Sequence, residues 1–326
     1  MIRTPVCDVL GIEHPVALGG MPTRYNTPTL AAAVSEAGGI GIIGITYLDG
    51  VEIGALATAV RDKTDKPFGL NTLMFLDDSV GFQAALEAAP RLISLAWARK
   101  DQDLDAWIGA AHSAGCVVSF MAADVGEAVR GAEAGADVIV AQGTEAGGHV
   151  GWLALSVLLP MVVDAVTPIP VLAAGGIADG RGLASALAYG ADGALLGTRF
   201  LATEESGLHP DYKRAIVESD GHDTVLTEIP DITSGMVWPG AMSRVLRNRF
   251  IERWSGREWA LRANLAEVSE AVQSARQAGD WEEAPMFFGQ DAGLIDDLPA
   301  AAKVVASIVA EAEEIITERL PPLAGN

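Results

Sequence analysis

Basic residues are scarce. Only 22 Lys and Arg stand against 43 Asp and Glu in 326 residues, a formal net charge of −21. A surface of that sign repels DNA, RNA and anionic lipid at long range, so neither nucleic acid nor a membrane surface is an expected partner. A small anion is not excluded, because a few oriented backbone N–H groups overcome a distant field. Cysteine is nearly absent: Cys7 and Cys116 show no CxxC or Cys/His ligand spacing and read as reduced thiols of a cytoplasmic protein. Long apolar runs are missing too. The longest, Trp152 to Val166, is broken by Ser156, Pro160 and Asp164, whereas a membrane span needs about 20 apolar residues in a row. Met1 to Pro15 has no basic head followed by an apolar run, so no secretory signal is visible. GxSxG, HExxH and His/carboxylate clusters at metal spacing do not occur, and no catalytic metal is expected.

What is present is a large core-forming fraction, 50% apolar and 20% charged, and one recurring pattern. A small-residue, helix-like segment ends at Gly, and a short apolar run follows. Ala31–Gly38 leads to Ile40–Ile43, Asp105–Gly115 to Cys116–Phe120, Asp124–Gly135 to Asp137–Ala141, and Asp179–Gly190 to Gly193–Leu196. Gly just past a helix adopts the left-handed conformation cheaply and stops it. Asp124 with Glu127 three residues on is a capping signature. Pro15–Gly19, Phe68–Leu73, Leu92–Ala96 and Pro170–Ala174 are four more such runs, which makes eight. Short apolar runs fit strands buried on both faces, and alternation with helices implies right-handed parallel βαβ units. Eight units predict an α/β fold, a (β/α)8 TIM barrel, with an open doubly wound sheet as the alternative.

After Gly197 the rhythm stops. Residues 203–295 hold Trp238, Trp254, Trp259 and Trp281 and many charges. Asp297–Leu320 is an amphipathic helix with Val304, Val305, Ile308, Val309, Ala312, Ile315 and Ile316 on one face. The expected organisation is a barrel over 1–202, a mostly helical insertion over 203–295 between strand 8 and the last helix, and a helix over 296–326 that completes the barrel. The insertion would shape the substrate side; a cover for the barrel or a homo-oligomer contact is the alternative.

In a parallel barrel, functional residues sit at the C-terminal ends of the strands. Gly39-Ile-Gly41-Ile-Ile-Gly44 matches GxGxxG, but it lies inside a predicted strand instead of opening a helix, so close packing explains it better. Phosphate commonly binds after barrel strands seven and eight, near a helix N-terminus. Gly175, Gly176, Gly197 and Thr198 stand there. Their N–H groups and the Thr hydroxyl would donate, with Arg181 or Arg199 adding charge. Of five histidines, only His149 lies in a glycine-rich loop on the predicted active face, where an imidazole serves as general base or hydrogen-bond donor. With no metal and no nucleophile, the chemistry belongs to a cofactor. A phosphate-bearing cofactor in such a barrel suggests a flavin.

Five strings carry a resemblance: Pro15–Met21, Gly69–Thr72, Gln142–His149, Ala174–Gly180 and Leu196–Phe200. On them the chain resembles the nitronate monooxygenase family, formerly called 2-nitropropane dioxygenases, of FMN-dependent barrels. The Gln-Gly-x-Glu-Ala-Gly-Gly-His string is the specific one. The resemblance implies FMN with its phosphate at Gly175, Gly176, Gly197 and Thr198. It implies Gly20, Met21 and Asn71 near the isoalloxazine ring, Gln142 and Gly148 on the flavin, and His149 beside the ring as catalytic residue. It further implies oxidation of alkyl nitronates, and of nitroalkanes, with O2 to a carbonyl compound and nitrite. The same barrel also serves NAD(P)H-dependent flavin reductases of quinones or enoyl thioesters. Some quinone-reductase relatives place a Lys where Met121 stands here, which favours the nitronate branch. A flavin-binding protein without efficient turnover is a third expectation.

Overall fold

The computed structural model describes residues 2–324. The strands up to residue 200 are β1 (Val16–Leu18), β2 (Met21–Pro22), β3 (Gly41–Gly44), β4 (Phe68–Leu73), β5 (Leu92–Ala96), β6 (Val117–Ala122), β7 (Val138–Gln142), β8 (Gly148–Val150), β9 (Val171–Ala174) and β10 (Gly193–Leu196). All but β8 form one curled parallel sheet, in the order β1-β10-β9-β7-β6-β5-β4-β3-β2. β1 pairs with β10, and it also meets the residue just ahead of β3. There Leu18 N–H donates to the Ile40 carbonyl at 2.9 Å and Ile40 N–H to the Val16 carbonyl at 3.1 Å. The curl thus returns to its first strand. All eight runs expected from the sequence are strands.

Side chains alternate across this sheet. Leu70, Ile93, Val118, Phe120, Ile139 and Ala173 pack outward under the helices. Ile42, Leu92, Val138, Val140 and Leu172 point inward and pack on Val6, Cys7 and Leu10 of helix Pro5–Leu10. That short helix, which the sequence reading did not find, plugs the N-terminal end of the curl. Gly41 in β3 lies under helix Pro28–Glu36, where a Cβ would run into the Ala31 carbonyl. Close packing is therefore what the GxGxxG string provides. The expected cap forms as well: Asp124 accepts from Glu127 N–H at 2.8 Å, and Glu127 accepts from Ala123 N–H at 2.8 Å.

Helix Ala301–Glu314 packs against helices Pro28–Glu36 and Gly180–Ala188. Its approach to the latter is close enough that a Cβ on Gly180 would lie 2.5 Å from Ala312 N, and Gly180 N–H donates to Glu311 at 2.8 Å. Val304, Val305, Ile308, Val309 and Ala312 are buried on it; in the π-helical turn that follows, Ile315 is buried and Ile316 is 37% exposed.

Between β10 and this helix lie helices Pro210–Glu218, Ile229–Ser234, Arg249–Trp254, Glu258–Ala263 and Leu265–Ala278, with strands β11 (Thr224–Thr227) and β12 (Met242–Leu246). A second, antiparallel sheet in the order β11-β12-β8 ties them to the loop after β7. No helix among the described residues is long and apolar enough to cross a membrane.

Candidate active site

The inward face of the sheet is apolar near helix Pro5–Leu10 and turns polar toward the C-terminal strand ends. Asn71, Ser94 and Ser119 stand in register on β4, β5 and β6. The Asn71 Nδ2 donates to the Ser94 carbonyl at 3.1 Å and to its Oγ at 3.2 Å. Gln142 ends β7, and its Oε1 is buried with no partner, as is Ser119 Oγ. A buried acceptor left without a donor costs about 1–3 kcal/mol, so such atoms mark where a ligand donor belongs.

The loop after β1 folds over this polar floor. Gly20 has no room for a Cβ, because Asn71 lies directly against it. Met21 reaches across to β10; its Sδ would be 3.9 Å from a Cβ on Gly197, which otherwise faces open space. Gly148 (φ +79°) also faces open space. Gly175 (φ +102°) and Gly176 (φ +73°) make the turn after β9, with Ala146 and Glu145 beside them. The N–H groups of Gly175, Gly176 and Gly197 donate no hydrogen bond among the described residues. Thr198 begins helix Thr198–Leu201, so its amide lacks an intrahelical acceptor. Four amide donors thus flank two neighbouring strand ends.

The side chains expected to join them do not. Thr198 Oγ1 accepts from Gly289 N–H at 2.8 Å and donates to the Asp291 carboxylate, which takes it out of the donor set. Arg199 turns to Asp297 (3.0 Å) and the Ala202 carbonyl (2.9 Å). Arg181 pairs with Asp179 at the surface. Burial pushes the Asp291 carboxyl up to about 7, against the opposite pull of the Thr198 hydrogen bond and Arg199. Sequence reasoning missed Asp291, since nothing in Gln290-Asp291-Ala292 marks it as buried.

His149 lies on β8 opposite Ser243 of β12. Its Nε2 is 2.7 Å from Asp231 Oδ1, and both side chains are largely shielded, 13% and 11% exposed. Ser243 Oγ lies 3.0 Å from Nε2 and 3.2 Å from each Asp231 oxygen. A carboxylate only accepts, so Nε2–H and the Ser243 hydroxyl both donate to it, and Nδ1 carries the ring's lone pair. Nδ1 has no partner among the described residues. Trp238 stacks on the imidazole, centroids 3.4 Å apart and planes 12° from parallel, and packs in turn on Phe75 and Trp97. Asp231, Ser243 and Trp238 come from the insertion and were not singled out as site residues. No sequence spacing points from His149 to a carboxylate 82 residues on.

Among the described residues no cluster of His, Cys, Asp and Glu could hold a metal ion. Amide donors without acceptors suit the phosphate of a cofactor, and a lone-pair nitrogen backed by a carboxylate suits proton transfer beside it. These features suit a cofactor-dependent enzyme built on a curled α/β sheet. The nitronate monooxygenase family matches over residues 3–88 and 81–311, and the chain belongs to it. The family is one of flavin-dependent oxidoreductases.

A (3aS,4S,5R,7aS)-5-hydroxy-7a-methyl-1-oxo-octahydro-1H-indene-4-carboxyl-CoA dehydrogenase of Mycobacterium tuberculosis is 34% identical, over 95% of this chain and 96% of its own. The solved structure of FabK from Thermotoga maritima has a TM-score of 0.88 and 37% identity, covering 99% of this chain and 100% of that one. Nitroalkane oxidase from Streptomyces ansochromogenes has a TM-score of 0.82 and 30% identity, covering 96% and 99%. The site residues fit a flavin: four amides without acceptors suit a phosphate, and Gln142 Oε1 is buried without a donor.

Proposed function

We propose that the chain uses FMN and O2 to convert alkyl nitronates, and the nitroalkanes that give rise to them, into a carbonyl compound and nitrite. The observation that carries this reading is the 2.7 Å contact between His149 Nε2 and Asp231. With its Nε2–H held by Asp231, the imidazole offers Nδ1 as a base, and the α-hydrogen of a nitroalkane is an acidic C–H. His149 takes that proton at Nδ1; Asp231 then balances the imidazolium, which in turn holds the nitronate anion in place. Trp238, backed by Phe75 and Trp97, covers one face of the ring. Gly175, Gly176, Gly197 and the Thr198 amide would hold the FMN phosphate, Gln142 and Gly148 would meet the flavin, and Gly20, Met21 and Asn71 would approach its ring. FMN, when bound, supplies the electron acceptor. The barrel over 1–202, the insertion over 203–295 and the closing segment over 296–326, whose helix is Ala301–Glu314, are the units of this reading; residues 1, 325 and 326 of these spans lie outside the described residues. A cytoplasmic setting is part of this reading.

A second reading is favoured by two of the relatives, the carboxyl-CoA dehydrogenase and FabK. Here His149 moves a proton at the carbon next to a thioester, and NAD(P)H or the substrate supplies hydride. Anaerobic titration of the flavin-loaded protein separates the two. Bleaching by propyl-2-nitronate or 2-nitropropane supports the first; bleaching by NADH or NADPH alone, at a catalytically useful rate, supports the second.

A further inference from the structure

In a chain of net charge −21, one cavity is cationic. It measures about 430 Å³ and lies between the loop after β2, helix Ile229–Ser234 and helix Leu265–Ala278. Arg24 comes from the first, Thr233 and Ser234 from the second, and Gln273, Arg276 and Gln277 from the third. The last three recur at i, i+3 and i+4, so one face of the helix points them all into the cavity. Neither arginine makes an ion pair or hydrogen bond among the described residues, and Arg276 Nε is shielded from solvent with no partner. Arg24 is placed by its own neighbour, its guanidinium 4.7 Å above the Tyr25 ring. Burial, and after it the Arg24 charge, push the Arg276 pKa down; Tyr25 and Tyr212 pull the other way, and no carboxylate is among the groups that act on it.

Two guanidiniums facing one cavity repel, and a buried N–H without an acceptor is costly. An anion relieves both. Thr233 and Ser234 already donate to the Pro230 and Asp231 carbonyls, so the free donors are the two guanidiniums and the amides of Gln273 and Gln277. So many N–H groups suit an anion with several acceptor oxygens, as phosphates have. The volume exceeds that of a single phosphate and lies within the roughly 300–1,000 Å³ of small-molecule sites. Two of its walls are continuous in the chain with the candidate site. Thr233 and Ser234 share a helix with Asp231, which holds His149, and Arg24 follows Met21 by three residues.

We propose that this cavity binds the adenosine diphosphate group of a nucleotide-linked reactant whose other end reaches His149. The inference rests on the second reading above for the identity of that other end, and the cavity's own occupancy is measured without turnover. The probes are ADP, NADPH, NADH, coenzyme A and inorganic phosphate, titrated calorimetrically into the flavin-loaded protein. ADP is expected to bind, to weaken as salt rises, and to lose roughly 10- to 100-fold in affinity in Arg276→Gln. Arg24→Gln, at an exposed position, should lose affinity too, with flavin absorbance and melting temperature unchanged. Tighter binding of NADPH than of ADP identifies a hydride donor; tighter binding of coenzyme A identifies a thioester carrier. No ADP binding to the parent, equal binding to Arg24→Gln/Arg276→Gln, or phosphate binding that adenosine does not improve would overturn the proposal. If ADP binds while neither NAD(P)H nor a thioester reacts, the cavity stands and the second reading falls.

Discussion

Asp291→Asn tests how the wall beside the amide cradle is held. Asp291 is 5% exposed and hydrogen-bonded to Thr198, and burial raises its carboxyl from 3.8 to about 7. The folded chain therefore keeps a proton that the unfolded chain releases near its ordinary value. The sign follows from linkage. The folded pKa is the higher one, so the stability that this proton contributes is whole below about pH 4. It drains away as pH rises and is gone once the folded carboxyl also ionises, near pH 7. A gap of about three units at 1.36 kcal/mol each makes the loss roughly 4 kcal/mol. Asparagine keeps an acceptor for the Thr198 hydroxyl and never ionises. It changes the local hydrogen bonding by about 1 kcal/mol at every pH. The variant's stability relative to the parent should thus climb by up to about 4 kcal/mol between about pH 4 and pH 8, read from urea midpoints on both proteins. All other titrating groups are shared, so the difference isolates residue 291. Two stability curves that run parallel across this range would refute the reasoning. The same carboxylate, once ionised, faces the expected phosphate position through Thr198, so flavin should dissociate more readily above about pH 7 in the parent than in the variant.

His149→Ala should leave the protein yellow and lower turnover roughly 10²- to 10⁴-fold, the usual contribution of a positioned acid or base; unchanged turnover removes His149 from the mechanism. Asp231→Asn puts an amide donor against Nε2 and so drives the ring proton to Nδ1. Turnover of neutral nitroalkane should fall more than tenfold, with Asp231→Glu recovering part of it and flavin content intact in both. Equal rates for Asn and Asp would show that the carboxylate does not set the tautomer. Gly176→Asp places a carboxylate at a φ of +73°, with its Cβ 3.3 Å from that of Glu145. Purified protein should be colourless, and full flavin absorbance per chain would rule out a phosphate at that turn.

The sheet was legible because its determinants are local. Four helices end next to a glycine with an apolar run following, as at Gly115 ahead of Cys116 and at Gly135 ahead of Val138. The position of His149 followed from the same rhythm. Its environment did not, because β8 is three residues long with glycines on either side of Gly148-His149-Val150, too short to show any alternation. Its strand partner Ser243 lies 94 residues on, and its carboxylate partner 82. The expected donors Thr198 and Arg199 failed for the same reason. Each side chain had a better acceptor far along the chain, the Asp291 carboxylate for the Thr198 hydroxyl and Asp297, 98 residues on, for Arg199. A hydroxyl or guanidinium next to a glycine turn looks free in sequence because its competitor is placed only by the fold. The backbone N–H groups of the same turns have no such competitor, and they remain without acceptors as the glycine pattern implied.

A crystal structure of the flavin-loaded protein tests the central claim most directly. The account requires the cofactor's phosphate on the N–H groups of Gly175, Gly176, Gly197 and Thr198, a donor of the flavin on Gln142 Oε1, and His149 Nδ1 open to a substrate on the same rim. A flavin bound elsewhere, or one whose ring is separated from His149 by the body of the sheet, would contradict it.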